Sequence, residues 1–142
     1  VGDAQSPIRR GGGRAHGARP RQYKLNLNKK TKRLARRSAL SYKAQEDAVR
    51  VIEDFSMDAP STRQLRELLS LIDLADQKVL LVTADTEREI YLSSRNVSNL
   101  TVQEARSLNS VDILDAEVIL FQEHALEHVT DILATESEKQ PA

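Results

Sequence analysis

The sequence contains no cysteine and no tryptophan, and aromatic residues make up only 4% of it. Without cysteine the chain can form neither a disulfide framework nor a thiolate zinc site, which fits a reducing compartment. The few aromatic residues make base stacking a minor means of contacting a nucleic acid. The longest apolar runs, residues 79–82 and 118–121, are far too short to span a bilayer, so we expect no membrane partner.

The chain also lacks net charge, because 21 lysines and arginines balance 21 acidic residues over its 142 positions. A zero balance argues against a nucleic-acid partner only until the charges are placed along the chain. Residues 1–43 hold thirteen of the basic residues and a single acid, for a net charge of +12, so residues 44–142 carry −12. This asymmetry indicates a polyanionic partner for the first third of the chain.

All five glycines lie within the first seventeen residues, and two of the four prolines, Pro7 and Pro20, lie within the first twenty. Residues 1–23 show no apolar periodicity and cannot bury enough surface to offset the entropy of ordering. We therefore predict an extended basic arm that becomes ordered against RNA, with a frayed terminus as the alternative. Arginine matches phosphate oxygens with forked donors, and glycine lets a backbone approach a phosphate chain closely. The predicted RNA-binding residues here are Arg9, Arg10, Gly11, Gly12, Gly13, Arg14, Arg19, Arg21, Tyr23 and Lys24.

A helix is predicted from Lys29 to about residue 48, with Asn28 as its N-cap. Its basic side chains, including Lys43, fall within an arc of roughly 160°, and Leu40 lies inside that arc as an exception. No acid interleaves to form ion pairs one turn apart, which argues against a merely solvated face. The opposite side, predicted to pack on the core, holds Leu34, Ala35, Ser38, Ala39 and Tyr42. The predicted RNA-binding residues of the helix are Lys29, Lys30, Lys32, Arg33, Arg36 and Arg37.

Beyond this helix, strand patterns alternate with helical ones. Strands are predicted at residues 49–53, 78–84, 100–102 and 118–121, two of them as continuous apolar runs that suit strands covered on both faces. Helix starts are predicted at Ser61, at Asp85 or Thr86, and at Ser110. This alternation predicts an α/β domain over residues 24–134, with a parallel sheet and helices on both of its faces. Residues 135–142 are predicted to be a disordered tail.

An α/β sheet can carry an active site, yet the sequence holds no convincing catalytic constellation. The glycine run before Arg14 lacks the Gly-Lys-Ser/Thr ending and the preceding strand of a phosphate-binding loop. His124 and His128 lie one helical turn apart, but they lack the spacing of a HEXXH zinc site. The polar residues 93–96 are best explained as a helix end or a hydrogen-bonding corner. We therefore expect no catalysis, metal, cofactor or small-molecule substrate.

Several short motifs occur in a specific order along the chain. They are HGARPRQY at residues 16–23, LARRSALS at 34–41, LSSRNV at 92–97 and LNSVDIL at 108–114. In this order and spacing they resemble the bacterial large ribosomal subunit protein four family, over the chain to about Leu133. The family's N-terminal strand, helix and first limb of a long loop would precede Val1, so we expect the chain to be a fragment.

The resemblance implies a structural constituent of the large ribosomal subunit, located in the cytoplasm within the ribosome. Such a protein binds 23S ribosomal RNA during assembly, contacts neighbouring large-subunit ribosomal proteins, and extends a loop to the peptide exit tunnel. Residues 1–23 would be the returning limb of that loop. Some family members also bind their own messenger RNA to repress their operon, and the sequence leaves open whether this chain does so.

Two alternatives remain at this point. One is a messenger-RNA-binding regulator that acts off the ribosome. The other is a small flavodoxin-like, nucleotide-binding enzyme with an unrelated basic extension. The enzyme alternative predicts a ligand-sized pocket at the carboxyl ends of the strands, near Thr83 and Gln122.

Overall fold

The computed structural model describes residues 3–6, 9–12 and 17–134. Two predicted RNA-binding residues, Gly13 and Arg14, lie outside the described residues, as does the predicted tail. The elements, in chain order, are α1 (Lys29–Gln45), β1 (Val49–Ile52), α2 (Thr62–Leu71), β2 (Val79–Thr83), α3 (Arg88–Ser94), β3 (Leu100–Glu104), α4 (Ser110–Asp115), β4 (Val118–Gln122) and α5 (Glu123–Leu133).

The four strands form one sheet in the order β1-β4-β2-β3, and every neighbouring pair is parallel. Leu80 of β2 lies opposite Ile119 of β4 on one side and Thr101 of β3 on the other. Every residue of β2 and of β4 is buried, which agrees with their continuous apolar sequences. The α/β class with a parallel sheet is therefore confirmed.

Helices cover both faces of the sheet, as predicted. Because successive strand side chains point to opposite faces, the central strands supply two separate cores. The first core, against α1, α4 and α5, includes Leu80, Val82, Ile119, Phe121, Ala39, Ile113, Ala125 and Val129. The second, against α2 and α3, includes Val79, Leu81, Val118, Leu120, Leu65, Leu69 and Ile90. Burying one such leucine or isoleucine side chain contributes about 1.5–3 kcal/mol.

Of the four predicted helix caps, one is confirmed and two are wrong, and the fourth, Asn28, is the N-cap residue of α1 but makes no side-chain cap hydrogen bond. The Ser61 hydroxyl accepts a hydrogen bond from the Gln64 N–H at 3.4 Å, which caps α2. The N-cap of α4 is Asn109 and not Ser110, because the Asn109 side chain accepts from the Asp112 N–H at 2.9 Å. The N-cap of α3 is Glu87.

Asp85 and Thr86 do not cap α3 because both take part in the turn before it. The Thr83 hydroxyl donates to the Asp85 carbonyl oxygen at 2.8 Å, and the Thr86 hydroxyl donates to the Glu104 carboxylate. In the described part of the chain, no helix has the length and apolarity that crossing a membrane requires.

Candidate nucleic-acid interface

The first described part of the arm contains tight turns rather than extended chain. The Ser6 carbonyl oxygen accepts hydrogen bonds from the N–H groups of Arg9 and Arg10, at 2.8 and 3.1 Å. Gly11 and Gly12 follow with φ of 79° and 66°, a left-handed conformation that residues with a Cβ rarely adopt. Both arginine side chains are exposed. The glycines therefore serve first to turn the chain, and the turn leaves two cations in solvent.

Residues 17–28 form no helix or strand, and all of them are exposed. Of the predicted binding residues, this segment holds Arg19, Arg21, Tyr23 and Lys24. The guanidinium carbon of Arg21 lies 4.5 Å from the centroid of the Tyr23 ring, a cation–π contact that the sequence did not reveal. The segment is therefore a row of cations with one exposed ring, and it adds nothing to either core.

The orientation of α1 differs from the prediction. Leu34 and Tyr42 are 68% and 60% exposed, whereas Ala39 is 3% exposed and Leu40 packs partly against the first core. Ala35 and Ser38 are exposed as well. The prediction that this side packs on a core is therefore wrong for every member except Ala39.

The physical reason lies in the shape of the side chains that face α4 and α5. Ala39 is small enough to bring α1 close to these helices, and Leu40 fills the adjoining space. Arg33 and Arg36, which lie in the same helix before Ala39 and Leu40, are half-buried. Long basic side chains can lay their methylene stems along apolar surface while the charged ends stay in water. The centre of the basic arc therefore faces the domain, and its flanks face solvent.

The basic side chains of α1 fall into three groups. Lys29, Lys30, Lys32 and Arg37 are exposed. Arg33 and Arg36 are half-buried, and within the described ranges neither has an acidic partner. The Lys43 side chain is only 11% exposed, and its Nζ lies 3.3 Å from a Glu46 carboxylate oxygen. Lys43 is therefore paired within the protein, and among the described residues the helix offers Lys29, Lys30, Lys32, Arg33 and Arg36 to an anion.

At the carboxyl end of β1, Asp54 joins the sheet to the start of α5. Its Oδ1 accepts a hydrogen bond from the His124 N–H at 3.2 Å, and its Oδ2 contacts Nδ1 of the same residue. The contact joins residues 70 positions apart. Gln122 is the N-cap residue of α5, but its side chain makes no cap hydrogen bond, because its amide donates to the Phe55 carbonyl oxygen at 3.0 Å. The Asp54 carboxylate caps the helix instead.

This contact also accounts for His124 without a metal ion. The hydrogen bond and the charge of Asp54 raise the pKa of His124 above 6.5, and the same hydrogen bond lowers the pKa of Asp54 below 3.8. Glu127 and Glu123 raise the pKa of His124 further. Among the described residues no group of three or more potential ligand side chains forms a metal site.

Replacing His124 by glutamine is expected to lower the melting temperature most between about pH 4 and pH 6.5. A raised histidine pKa contributes stability below the ordinary value of 6.5 and loses it as the pH rises through the shifted value. The lowered pKa of Asp54 contributes above 3.8 and is lost in stronger acid. Thermal unfolding between pH 3 and pH 9 measures the difference, which stays small because the pair is exposed. His128→Gln is the control, and an equal pH-dependent difference in that variant would contradict the assignment.

The pocket required by the enzyme alternative is not found at the strand ends. The buried Thr83 and Gln122 side chains donate their hydrogen bonds to backbone carbonyl oxygens. A depression beside Thr83 has a volume of about 220 Å³ and is not lined by Gln122. Ligand pockets usually exceed roughly 300 Å³ and have free polar groups that converge on the ligand. The described residues therefore offer no support for this alternative.

The polar segment 93–96 proves to be a hydrogen-bonding corner, as expected. The buried Ser93 hydroxyl accepts from the Ser61 N–H at 2.8 Å and donates to the Glu89 carbonyl oxygen at 2.7 Å. The Ser94 hydroxyl donates to the Tyr91 carbonyl oxygen at 2.9 Å. The bond between Ser61 and Ser93 joins the start of α2 to the end of α3, and the other two lie within α3, so the serines have a structural explanation.

Comparison with known proteins agrees with the resemblance noted in the sequence. Residues 1–132 match the model of the ribosomal protein L4/L1 family. The chain is 62% identical over 136 residues to the large ribosomal subunit protein uL4 of Salinibacter ruber, a match that covers 96% of this chain and 63% of that protein. Proteins of the same name from Phocaeicola vulgatus and Bacteroides fragilis are each 43% identical, over 94% and 93% of this chain.

These matches cover most of this chain but only part of its relatives. The chain spans 64% of the length of the P. vulgatus and B. fragilis proteins, and slightly less of the S. ruber protein. The family match and the 62% identity nevertheless extend across the arm, α1 and the sheet. The chain belongs to the ribosomal protein L4/L1 family.

Proposed function

We propose that this chain is part of a structural constituent of the large ribosomal subunit, and that it binds 23S ribosomal RNA through the arm and α1. The observation that carries the proposal is the separation of charge. Between Asp3 and Glu46 the chain contains no acidic residue, whereas the α/β body (residues 44–134) is rich in acids. A surface of this kind attracts RNA at one end and repels it over most of the remainder.

Twelve basic residues supply this interface. Eleven of them lie within the described residues, where nine are exposed and Arg33 and Arg36 of α1 are half-buried. Each cation that neutralises a phosphate releases counterions and steepens the dependence of affinity on salt. If about half of the twelve make such contacts, affinity falls on the order of 1,000-fold between 50 and 200 mM salt. Arginine dominates the arm because its planar fork can bind two phosphate oxygens at once.

The body has a different part in this proposal. The relatives are named as large ribosomal subunit proteins, and a ribosomal protein has both RNA and other proteins as neighbours. The acidic surface of the body is suited to solvent and to basic segments of those proteins, since RNA phosphates would be repelled. The proposal needs no catalysis or cofactor, and it places the chain in the ribosome in the cytoplasm. The experiment below also measures binding to its own messenger RNA.

The proposal is tested by binding the chain to 23S ribosomal RNA, to its own messenger leader, and to an unrelated RNA of equal length, across a salt series. We expect 23S ribosomal RNA to retain the chain at salt concentrations that release the unrelated RNA, because only a specific site adds contacts beyond counterion release. We also expect co-sedimentation with large ribosomal subunits. Preferential binding to the leader without co-sedimentation would favour the regulator, and equal binding to all three RNAs would contradict both proposals.

A further inference from the structure

Tyr23 is an aromatic residue that the fold does not use. Its side chain is 77% exposed, and it belongs to neither hydrophobic core. It lies in residues 17–28, where no helix or strand forms and every residue is exposed. A large apolar ring left in water costs free energy unless a partner covers it. The ring is therefore available to a ligand.

One face of this ring is already occupied. The Arg21 guanidinium carbon lies 4.5 Å from the ring centroid, which is within the range of a cation–π contact. Residues two apart lie on the same side of an extended chain, so the spacing of Arg21 and Tyr23 favours this arrangement. The contact limits the motion of the ring and leaves its second face open.

The surroundings of the ring select the chemistry of its ligand. Arg19, Arg21 and Lys24 flank it, and no acidic residue lies nearby in the sequence. A flat, apolar face bordered by cations fits a nucleobase whose own phosphates lie to either side. In a double helix the bases are already stacked on one another, so a duplex would offer the cations its phosphates but would leave the ring uncovered.

We propose that Tyr23, held by Arg21, is a stacking platform for an unpaired RNA base where the arm meets α1. This inference rests on the proposed function and specifies single-stranded RNA as the class that the platform binds. The arm and α1 bind phosphates of any strand, whereas the platform favours a single-stranded segment. The other exposed tyrosines, Tyr42 and Tyr91, are in helices, and the described residues place no cation over either ring.

The test compares Tyr23→Leu, Tyr23→Phe and the control Tyr42→Leu in the full chain. The probes are a single-stranded RNA of about twelve nucleotides, the same strand annealed to its complement, and 23S ribosomal RNA. Tyr23→Leu is expected to weaken binding to the single strand roughly tenfold, because an aromatic ring contributes that much or more per stacked base. The duplex affinity and the salt slope are expected to stay unchanged, since the substitution removes no charge. Tyr23→Phe and Tyr42→Leu are expected to bind like the parent chain.

Arg21→Lys tests the part played by the guanidinium. It keeps the charge and loses the planar group, so we expect a partial loss of the preference for single strands at an unchanged salt slope. An unchanged preference would contradict the role of Arg21. Equal losses of Tyr23→Leu on both probes, or no loss on either, would overturn the stacking platform. Those results leave the proposed function standing, because its own test is whether 23S ribosomal RNA is bound better than the leader and the unrelated RNA.

Discussion

Replacing Arg9, Arg10, Arg14, Arg19 and Arg21 together by glutamine is expected to abolish tight binding to ribosomal RNA while the fold stays intact. Each lost phosphate contact reduces the slope of log affinity against log salt by about 0.7–0.9, so removing all five reduces it by about four. The measurement is filter binding to 23S ribosomal RNA at several salt concentrations. An unchanged affinity with an unchanged slope would show that the arm does not bind RNA.

The melting temperature of this variant is expected to match that of the parent chain. The four substituted arginines within the described residues are exposed, and none of them belongs to a hydrophobic core. Surface substitutions of this kind usually change stability by less than about 0.5 kcal/mol each. Thermal unfolding of the free chain therefore separates lost RNA binding from lost folding.

A matched variant controls for net charge. Five exposed arginines of the body can be replaced by glutamine in the same way, which changes the charge of the chain equally. They are Arg63, Arg66, Arg88, Arg95 and Arg106. If binding depends on where the cations lie, this variant keeps most of its affinity. If both variants lose affinity equally, overall charge rather than the arm determines binding, and the proposed interface is wrong.

The sheet was predictable from the sequence because its two central strands are covered on both faces. Such strands carry few polar residues, so residues 79–82 of β2 and 118–121 of β4 are continuous apolar runs. The order of the strands was not predictable, because an apolar run does not indicate which other strand pairs with it. The contact between Asp54 and His124 depends on that order, since β1 lies beside β4. From the sequence, His128 was therefore the candidate partner considered for His124.

The sequence shows which basic residues the arm and α1 contain, but it does not show how the fold arranges them. A helical projection assumes that charged side chains avoid the packed side. In α1 the packed side is defined by Ala39 and Leu40, and Arg33 and Arg36 are half-buried although they carry charge. The contact of Arg21 with Tyr23 was missed for a related reason, because composition shows that both residues are present and not that their side chains meet.

Replacing Ala39 by aspartate is expected to destabilise the domain by about 3 kcal/mol or more, because it buries a carboxylate where α1 meets α4 and α5. Ala39 is almost fully buried, so the introduced carboxylate loses its hydration, and an ion pair with Arg36 or Lys43, one helical turn away, returns only part of that cost. For a domain with a total stability of about 5–15 kcal/mol this is a large loss. It corresponds to a decrease in melting temperature of roughly 10 °C.

Leu34→Asp is the matched control, since it introduces the same group into the same helix at a position that is mostly exposed. Its cost is expected to stay near 0.5 kcal/mol, the difference in helix propensity. The loss in Ala39→Asp is also expected to shrink toward pH 4, because burial raises the pKa of the introduced carboxyl and the neutral form costs less to bury. If Leu34→Asp proved the more damaging substitution, α1 would pack through its Leu34 and Tyr42 side. Arg33 and Arg36 would then face outward with the other cations, and the interface would be a continuous basic face rather than two flanks.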